Sequence, residues 1–261
     1  MIPESFIESW RAVAKWQTLG MVEQDLVISR ALVCLYNDPT IKNSLVFRGG
    51  TALNKLFLKP PERYSEDIDF VQRQPQPIGS TIDTIREILT PWLGEPKRKI
   101  TERSAKLVYQ YQAIGGLPAK LKIEINTTEH FQVLPIRLEP LQVESEWFKG
   151  DASIVTCELE ELIATKLRAL YQRRKGRDLF DLWHVFKREM VDIDVVIDIF
   201  QQYCVNDGIT ISKELFHKNM EMKRLNRDFQ TDMNILLPHN THWHFDEAFD
   251  FVQSRIISQL P

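Results

Sequence analysis

The chain has 261 residues, 43% of them hydrophobic and 26% charged, with a formal net charge of −3. Those values fit one large globular domain or two modest ones, and they exclude a disordered chain, a collagen-like repeat and a disulfide scaffold. No apolar run approaches the roughly 18–20 residues that span a bilayer. No basic and apolar leader follows Met1, and Cys34, Cys157 and Cys204 are too few and too far apart for a bridge framework. The expectation is a cytoplasmic protein with reduced thiols and no membrane partner.

Taken in order, Glu4–Trp16 and Met21–Tyr36 carry apolar residues at helical spacing, broken at Gly20 and stopped at Asn37-Asp38-Pro39. Ser44–Phe47 reads as a short strand ended by Gly49-Gly50, and a helix over Ala52–Phe57 is closed by Lys59-Pro60-Pro61. A second strand is expected over Asp67–Val71 and an amphipathic helix over Ile82–Leu93. From Lys97 to Val143 the pattern is a hairpin about Gly115-Gly116-Leu117-Pro118, with Lys106–Ile114 and Lys120–Ile125 as its arms, followed by a meander. Beyond about Asp151 the periodicity predicts helices only, over Glu158–Arg174, Asp178–Lys187, Asp192–Tyr203, Ser212–Arg224, Arg227–Ile235 and Asp246–Ile257. The fold class is therefore α+β: a mixed-sheet domain with N-terminal helices over 1–150, then an all-helical domain over 151–261.

Charge is most informative where it clusters. Between Lys166 and Arg177 there are six cations and no acid, and without them 27 cations face 36 acids in the rest of the chain. One basic cluster in a mildly acidic protein suits a defined anionic ligand better than non-specific coating of nucleic acid.

The sharpest motif is Ser65-Glu66-Asp67-Ile68-Asp69-Phe70. On a strand, Asp67 and Asp69 share one face about 6–7 Å apart while Ile68 and Phe70 take the other. Two such carboxylates repel unless a cation lies between them, and a hard divalent ion such as Mg²⁺ takes one or two carboxylates plus substrate phosphates. A solvated strand face is the bland alternative. Upstream, Arg48-Gly49-Gly50-Thr51-Ala52 sets two glycines and a hydroxyl between a strand and a helix start, where backbone N–H groups approach a phosphate closely. It lacks the Walker spacing. Downstream, Glu124 alternates with Ile123 and Ile125 and is a candidate third carboxylate. Lys166 falls within the stripe of Leu159, Leu162, Ile163 and Leu170, so it either snorkels to solvent or meets an anion. Asp178 suits a helix cap, and Asp181 lies one turn on.

Gly49-Gly50-Thr51-Ala52-Leu53 and Arg63-Tyr64-Ser65-Glu66-Asp67-Ile68-Asp69-Phe70, with Lys166-Leu167-Arg168-Ala169-Leu170 and Arg177-Asp178-Leu179-Phe180-Asp181-Leu182, resemble the AbiEii/AbiGii toxin family of the DNA polymerase β-like nucleotidyltransferase superfamily. The resemblance runs from about residue 45 to 185. It implies a nucleotidyltransferase domain and transfer of a nucleoside monophosphate from a nucleoside triphosphate to an acceptor, with tRNA or another RNA in view. It also implies a separate antitoxin. In its terms Asp67, Asp69 and Glu124 hold Mg²⁺, Gly49, Gly50, Thr51, Arg63, Ser65 and Arg173 bind the nucleotide, and Asp67, Asp69, Lys166 and Asp181 are catalytic. Arg173-Arg174-Lys175-Arg177 is either an RNA or triphosphate contact or a solvated helix end. A small-molecule nucleotidyltransferase and a non-catalytic nucleotide-binding module stay open as alternatives. Pro238–His244, rich in histidine, reads as an exposed loop rather than a metal site.

Overall fold

The structure, a computed structural model, describes residues 2–239 and 241–261. The chain divides into two compact units. The first comprises Met1–His130, Ile136–Cys157 and Leu237–His239; the second comprises Phe131–Pro135, Glu158–Leu236 and Asn240–Pro261.

The first unit is built on a seven-stranded mixed sheet of β1 (Leu45–Arg48), β2 (Asp67–Gln72), β3 (Lys97–Ile100), β4 (Ser104–Gln112), β5 (Pro118–Asn126), β6 (Ile136–Glu144) and β7 (Lys149–Cys157), in the order β3-β4-β5-β2-β1-β7-β6. Its helices are α1 (Glu4–Trp10), α2 (Leu19–Tyr36), α3 (Pro39–Ser44), α4 (Gly49–Ala52), which runs on as a π turn over Leu53–Phe57, and α5 (Gly79–Leu93). β2 pairs antiparallel with β1 and parallel with β5, so the Asp-x-Asp strand lies in the sheet interior. Its alternate residues Ile68, Phe70 and Gln72 are buried, and Phe70 packs tilted against Phe47 and edge-on against Tyr36, with ring centroids 5.8 and 6.0 Å apart. That aromatic core fixes which face of β2 is inward, and a one-residue slip would bury the aspartates instead.

Several boundaries differ from the sequence reading. α1 stops at Trp10 rather than Trp16, because Trp10 and Trp16 both turn their indole N–H groups onto the buried Asp25 carboxylate, at 3.0 and 3.2 Å. Lys55 completes that carboxylate's partners at 3.0 Å and ties the π turn to α2. Asn37-Asp38-Pro39 ends one helix but also starts another: Asp38 accepts from the N–H groups of Thr40 and Ile41, with Pro39 at the first position of α3. β3 was hidden by its composition, since Lys97-Arg98-Lys99-Ile100 is wholly exposed on an edge. β7 extends the strands past residue 150: Ile154-Val155-Thr156-Cys157 is buried and Phe47 pairs with Thr156 in parallel, so this end of the strand is buried without alternation. The compact units accordingly part at Cys157, one strand beyond the expected boundary near 150.

The second unit is helical: α6 (Leu159–Gln172), α7 (Gly176–Lys187), α8 (Ile193–Asn206), α9 (Lys213–Arg224), α10 (Arg227–Thr231) and α11 (Phe245–Arg255). Glu161, fully buried on α6, accepts from the N–H groups of Val133 and Leu134 and from the Tyr203 hydroxyl, and so holds the 131–135 segment in this unit. Gly176 opens α7 because a Cβ there would lie 2.3 Å from the Phe229 carbonyl oxygen.

Candidate active site

The site in the first unit grows from the turn between β1 and α4. Gly49 has φ +82°, and a Cβ on it would lie 2.7 Å from Asp69 Oδ2; a Cβ on Gly50 would lie 2.3 Å from an Arg63 guanidinium nitrogen. Both positions are closed to side chains, the first also by backbone conformation. The turn is braced from within. Thr51, buried, donates its hydroxyl to the Asp67 carbonyl at 2.5 Å and lies 2.8 Å from the Ser65 hydroxyl. Asn54 donates to the Gly50 carbonyl and accepts from the N–H groups of Glu62 and Arg63. Arg63, 1% exposed, donates to the Tyr64 carbonyl beneath the turn. Of the expected nucleotide-binding residues, Gly49, Gly50, Thr51, Arg63 and Ser65 thus lie together, with Thr51 and Arg63 holding the turn's shape and Ser65 half-buried at its side.

Asp67 and Asp69 stand on the outward face of β2, and Glu124 is the register partner of Asp69 on β5. Lys122, register partner of Asp67, extends its ammonium to 2.9 Å from Asp67 Oδ2 and 3.4 Å from Glu124. Lys106 on β4 lies 2.8 Å from Glu124. Partial burial opposes the charge on Glu124, but the two ammoniums outweigh it and hold its carboxyl below the ordinary value. Burial works against the Lys122 charge as well; Asp67, Glu124 and Asp69 prevail and raise it. Among the described residues no three His, Cys, Asp or Glu side chains are grouped to hold a metal ion. What β2 offers is a pair of hard oxygen donors beside a glycine turn, which suits a divalent cation shared with a phosphate ligand.

The second unit holds a different arrangement. Lys166, on the buried side of α6, lies 2.9 Å from Asp181 and 3.1 Å from Asp178, both fully buried. Arg173 reaches the same Asp178 through two nitrogens at 2.7 and 2.9 Å. Asp178 is therefore no helix cap: α7 begins at Gly176, and this side chain turns inward to two cations. Burial alone would raise its pKa, yet Lys166 and Arg173 hold it far below the usual carboxylate range. Lys223 is buried alongside, donating to the carbonyls of Leu170 and Tyr171 at the end of α6; desolvation pulls its pKa down to about 8, against the opposing charge of Asp178.

Sequence reasoning missed Lys122, Lys106 and Asn54 at the glycine turn and the second counter-ion of Lys166. The Lys-x-Lys-x-Glu alternation of Lys120–Glu124 was visible, but its pairing with Asp67 depends on strand register. Asp178 and Asp181, three apart on α7, share a helical face, which was the available signal for the double partner. His239, His242 and His244 are exposed; Asn240, inside the expected loop, lies outside the described residues.

The AbiEii family, described as nucleotidyl transferase AbiEii toxin of a type IV toxin–antitoxin system, matches residues 30–251. Among solved structures, MenT4, a nucleotidyltransferase toxin from Mycobacterium tuberculosis H37Rv, superposes with a TM-score of 0.69 at 19% identity, covering 100% of this chain and 91% of that one. JHP933 from Helicobacter pylori superposes with a TM-score of 0.55 at 19% identity, covering 93% of each chain. At those identities the superpositions establish the fold. Curated protein sequences give no match.

Proposed function

This chain belongs to the AbiEii family of nucleotidyltransferase toxins, and from that premise we propose that it transfers a nucleoside monophosphate from a nucleoside triphosphate to a hydroxyl of RNA, with a tRNA end as the acceptor and Mg²⁺ as cofactor. The observation that carries the reading is the placement of Asp67 and Asp69 on the outward face of β2, with Asp69 against the side-chain-free turn at Gly49.

The N–H groups of Gly49 and Gly50 and the Ser65 hydroxyl bind the triphosphate, and Thr51, Asn54 and Arg63 keep the turn in shape for it. Asp67 and Asp69 would hold the metal, with Glu124 next to them in register. When bound, the metal supplies charge neutralisation of the phosphates and polarisation of the α-phosphorus. Lys122 balances the site's negative charge when it is empty of ligand, and its half-exposed ammonium is free to move off Asp67 onto Glu124 as a cation binds. In the transfer the acceptor oxygen bonds to the α-phosphorus, the bond from that phosphorus to the bridging β-oxygen breaks, pyrophosphate leaves and the hydroxyl proton passes to solvent. In the second unit Lys166 and Asp181, expected to be catalytic, serve in this reading as buried framework, with Asp178 and Arg173 fixing the ammonium's charge and place.

Growth tests the reading. Production of the wild-type chain without an antitoxin should arrest bacterial growth, and Asp67→Ala should relieve the arrest. Equal growth with both chains would favour a small-molecule transferase or an inactive module, and equal arrest would place toxicity outside nucleotidyl transfer.

A further inference from the structure

Pairing across the sheet sets Arg48, Asp69, Glu124, Lys106 and Lys99 side by side, one residue from each of five neighbouring strands. The adjacent row runs Asp67, Lys122, Val108 and Lys97. All of these share the face opposite the buried residues Ala105, Leu107, Leu121, Ile123 and Ile125, so the outward face changes sign along each row. It is acidic at β2 and basic at β4 and β3. Lys106 and Lys122 are engaged with carboxylates. Lys97 and Lys99 are exposed and, like Lys120 at the next outward position of β5, have no carboxylate partner among the described residues. Three unneutralised ammoniums on one sheet face, on strands held rigid by their ladders, form a template for a polyanion rather than a cluster on a mobile loop. Three interstrand steps, roughly 14 Å at 4.7–4.9 Å each, separate Lys99 from Asp69, which leaves room for a few nucleotides.

We propose that Lys97 and Lys99 of β3 and Lys120 of β5 bind the backbone phosphates of the RNA acceptor just upstream of its reacting hydroxyl, so that the strand runs from the β3 edge towards Asp67 and Asp69. This rests on the reading of the chain as an RNA nucleotidyltransferase. The contact is to phosphate, so it sets position without selecting sequence.

The test uses the full chain and a double variant, K97A/K99A, whose side chains are exposed and whose fold is checked against wild type by its melting curve. A fluorescent single-stranded RNA is titrated at several salt concentrations, and a non-hydrolysable nucleoside triphosphate is titrated separately. The expected result is RNA affinity lower by on the order of tenfold, a salt slope shallower by about 1 to 1.5, since each lost phosphate contact on a single strand removes about 0.7, and unchanged nucleotide affinity. If wild type labels and binds RNA but K97A/K99A binds it equally and with the same slope, the track is wrong while the RNA reading stands. If wild type binds nucleotide but neither binds nor labels any RNA, both the track and the RNA reading fall.

Discussion

The two units hold the same chemical pairing under opposite conditions. Lys122 and Asp67 lie 2.9 Å apart on an open sheet face, with side chains 29% and 26% exposed; Lys166 and Asp181 lie 2.9 Å apart with side chains 7% and 0% exposed. An ion pair in contact with water contributes about 0–1 kcal/mol and exchanges partners readily. A buried pair has lost its hydration, so removing either partner strands a charge and costs about 3–5 kcal/mol. The distance is the same and the consequence differs: the sheet carboxylates can give up a lysine for a metal and a phosphate, whereas the helical cluster is fixed framework whose charges hold one another in place.

The largest expected effect is on rate and belongs to the sheet. Asp69→Asn should lower transferase turnover by about 10²-fold or more, because several kcal/mol of charge stabilisation are lost, while shifting stability by less than about 0.5 kcal/mol. Turnover assays and melting curves on the same preparation check both halves; a large loss of stability would erase the contrast between the two units.

The largest expected effect on stability belongs to the helices. Asp178→Asn, or Lys166→Met, should cost about 3–5 kcal/mol in urea unfolding at neutral pH. Because the folded pKa of Asp178 is depressed, the unfolded chain binds more protons below its ordinary value, and the stabilisation is complete above about pH 4 and is lost as pH falls through the folded value. The gap between wild type and Asp178→Asn should therefore narrow when unfolding is repeated below pH 4; a gap that widens in acid would contradict the assignment.

Two smaller effects sharpen the comparison. Gly50→Ala forces a Cβ against the Arg63 guanidinium, a displacement of a well-packed group that should cost about 1–3 kcal/mol and weaken nucleotide binding by calorimetry. Lys122→Met should change stability by less than about 1 kcal/mol and tighten divalent-metal binding, since Asp67 loses its resident cation; weaker metal binding would mean that Lys122 organises the site instead of shielding it.

Local pattern made much of this legible. The Asp-x-Asp strand, the glycine turn, the hairpin and the long helices α2, α5 to α9 and α11 follow from alternation, turn residues and 3.6-residue periodicity, and each lies within a few residues of its expected place. What escaped depended on contacts distant in sequence. The last four residues of β7 are buried on both faces where the strand pairs in parallel with β1, so they show no alternation. β3 is a charged edge, and α3 begins inside a segment whose asparagine, aspartate and proline also read as a stop. At the candidate site, the shared outward face of Asp67 and Asp69 was legible because one strand presents both. The engagement of Lys122 with Asp67 across 55 residues of sequence depends on register, and no local motif announces it.

The central claim is that the carboxylates of β2 support nucleotide transfer to RNA, and the most direct measurement incubates the chain with each α-labelled nucleoside triphosphate, Mg²⁺ and total cellular RNA, then separates the products by size. The account predicts label in RNA with at least one nucleotide, lost when Mg²⁺ is chelated and lost in Asp69→Asn. Label that persists in Asp69→Asn, or appears only in small molecules, would contradict it.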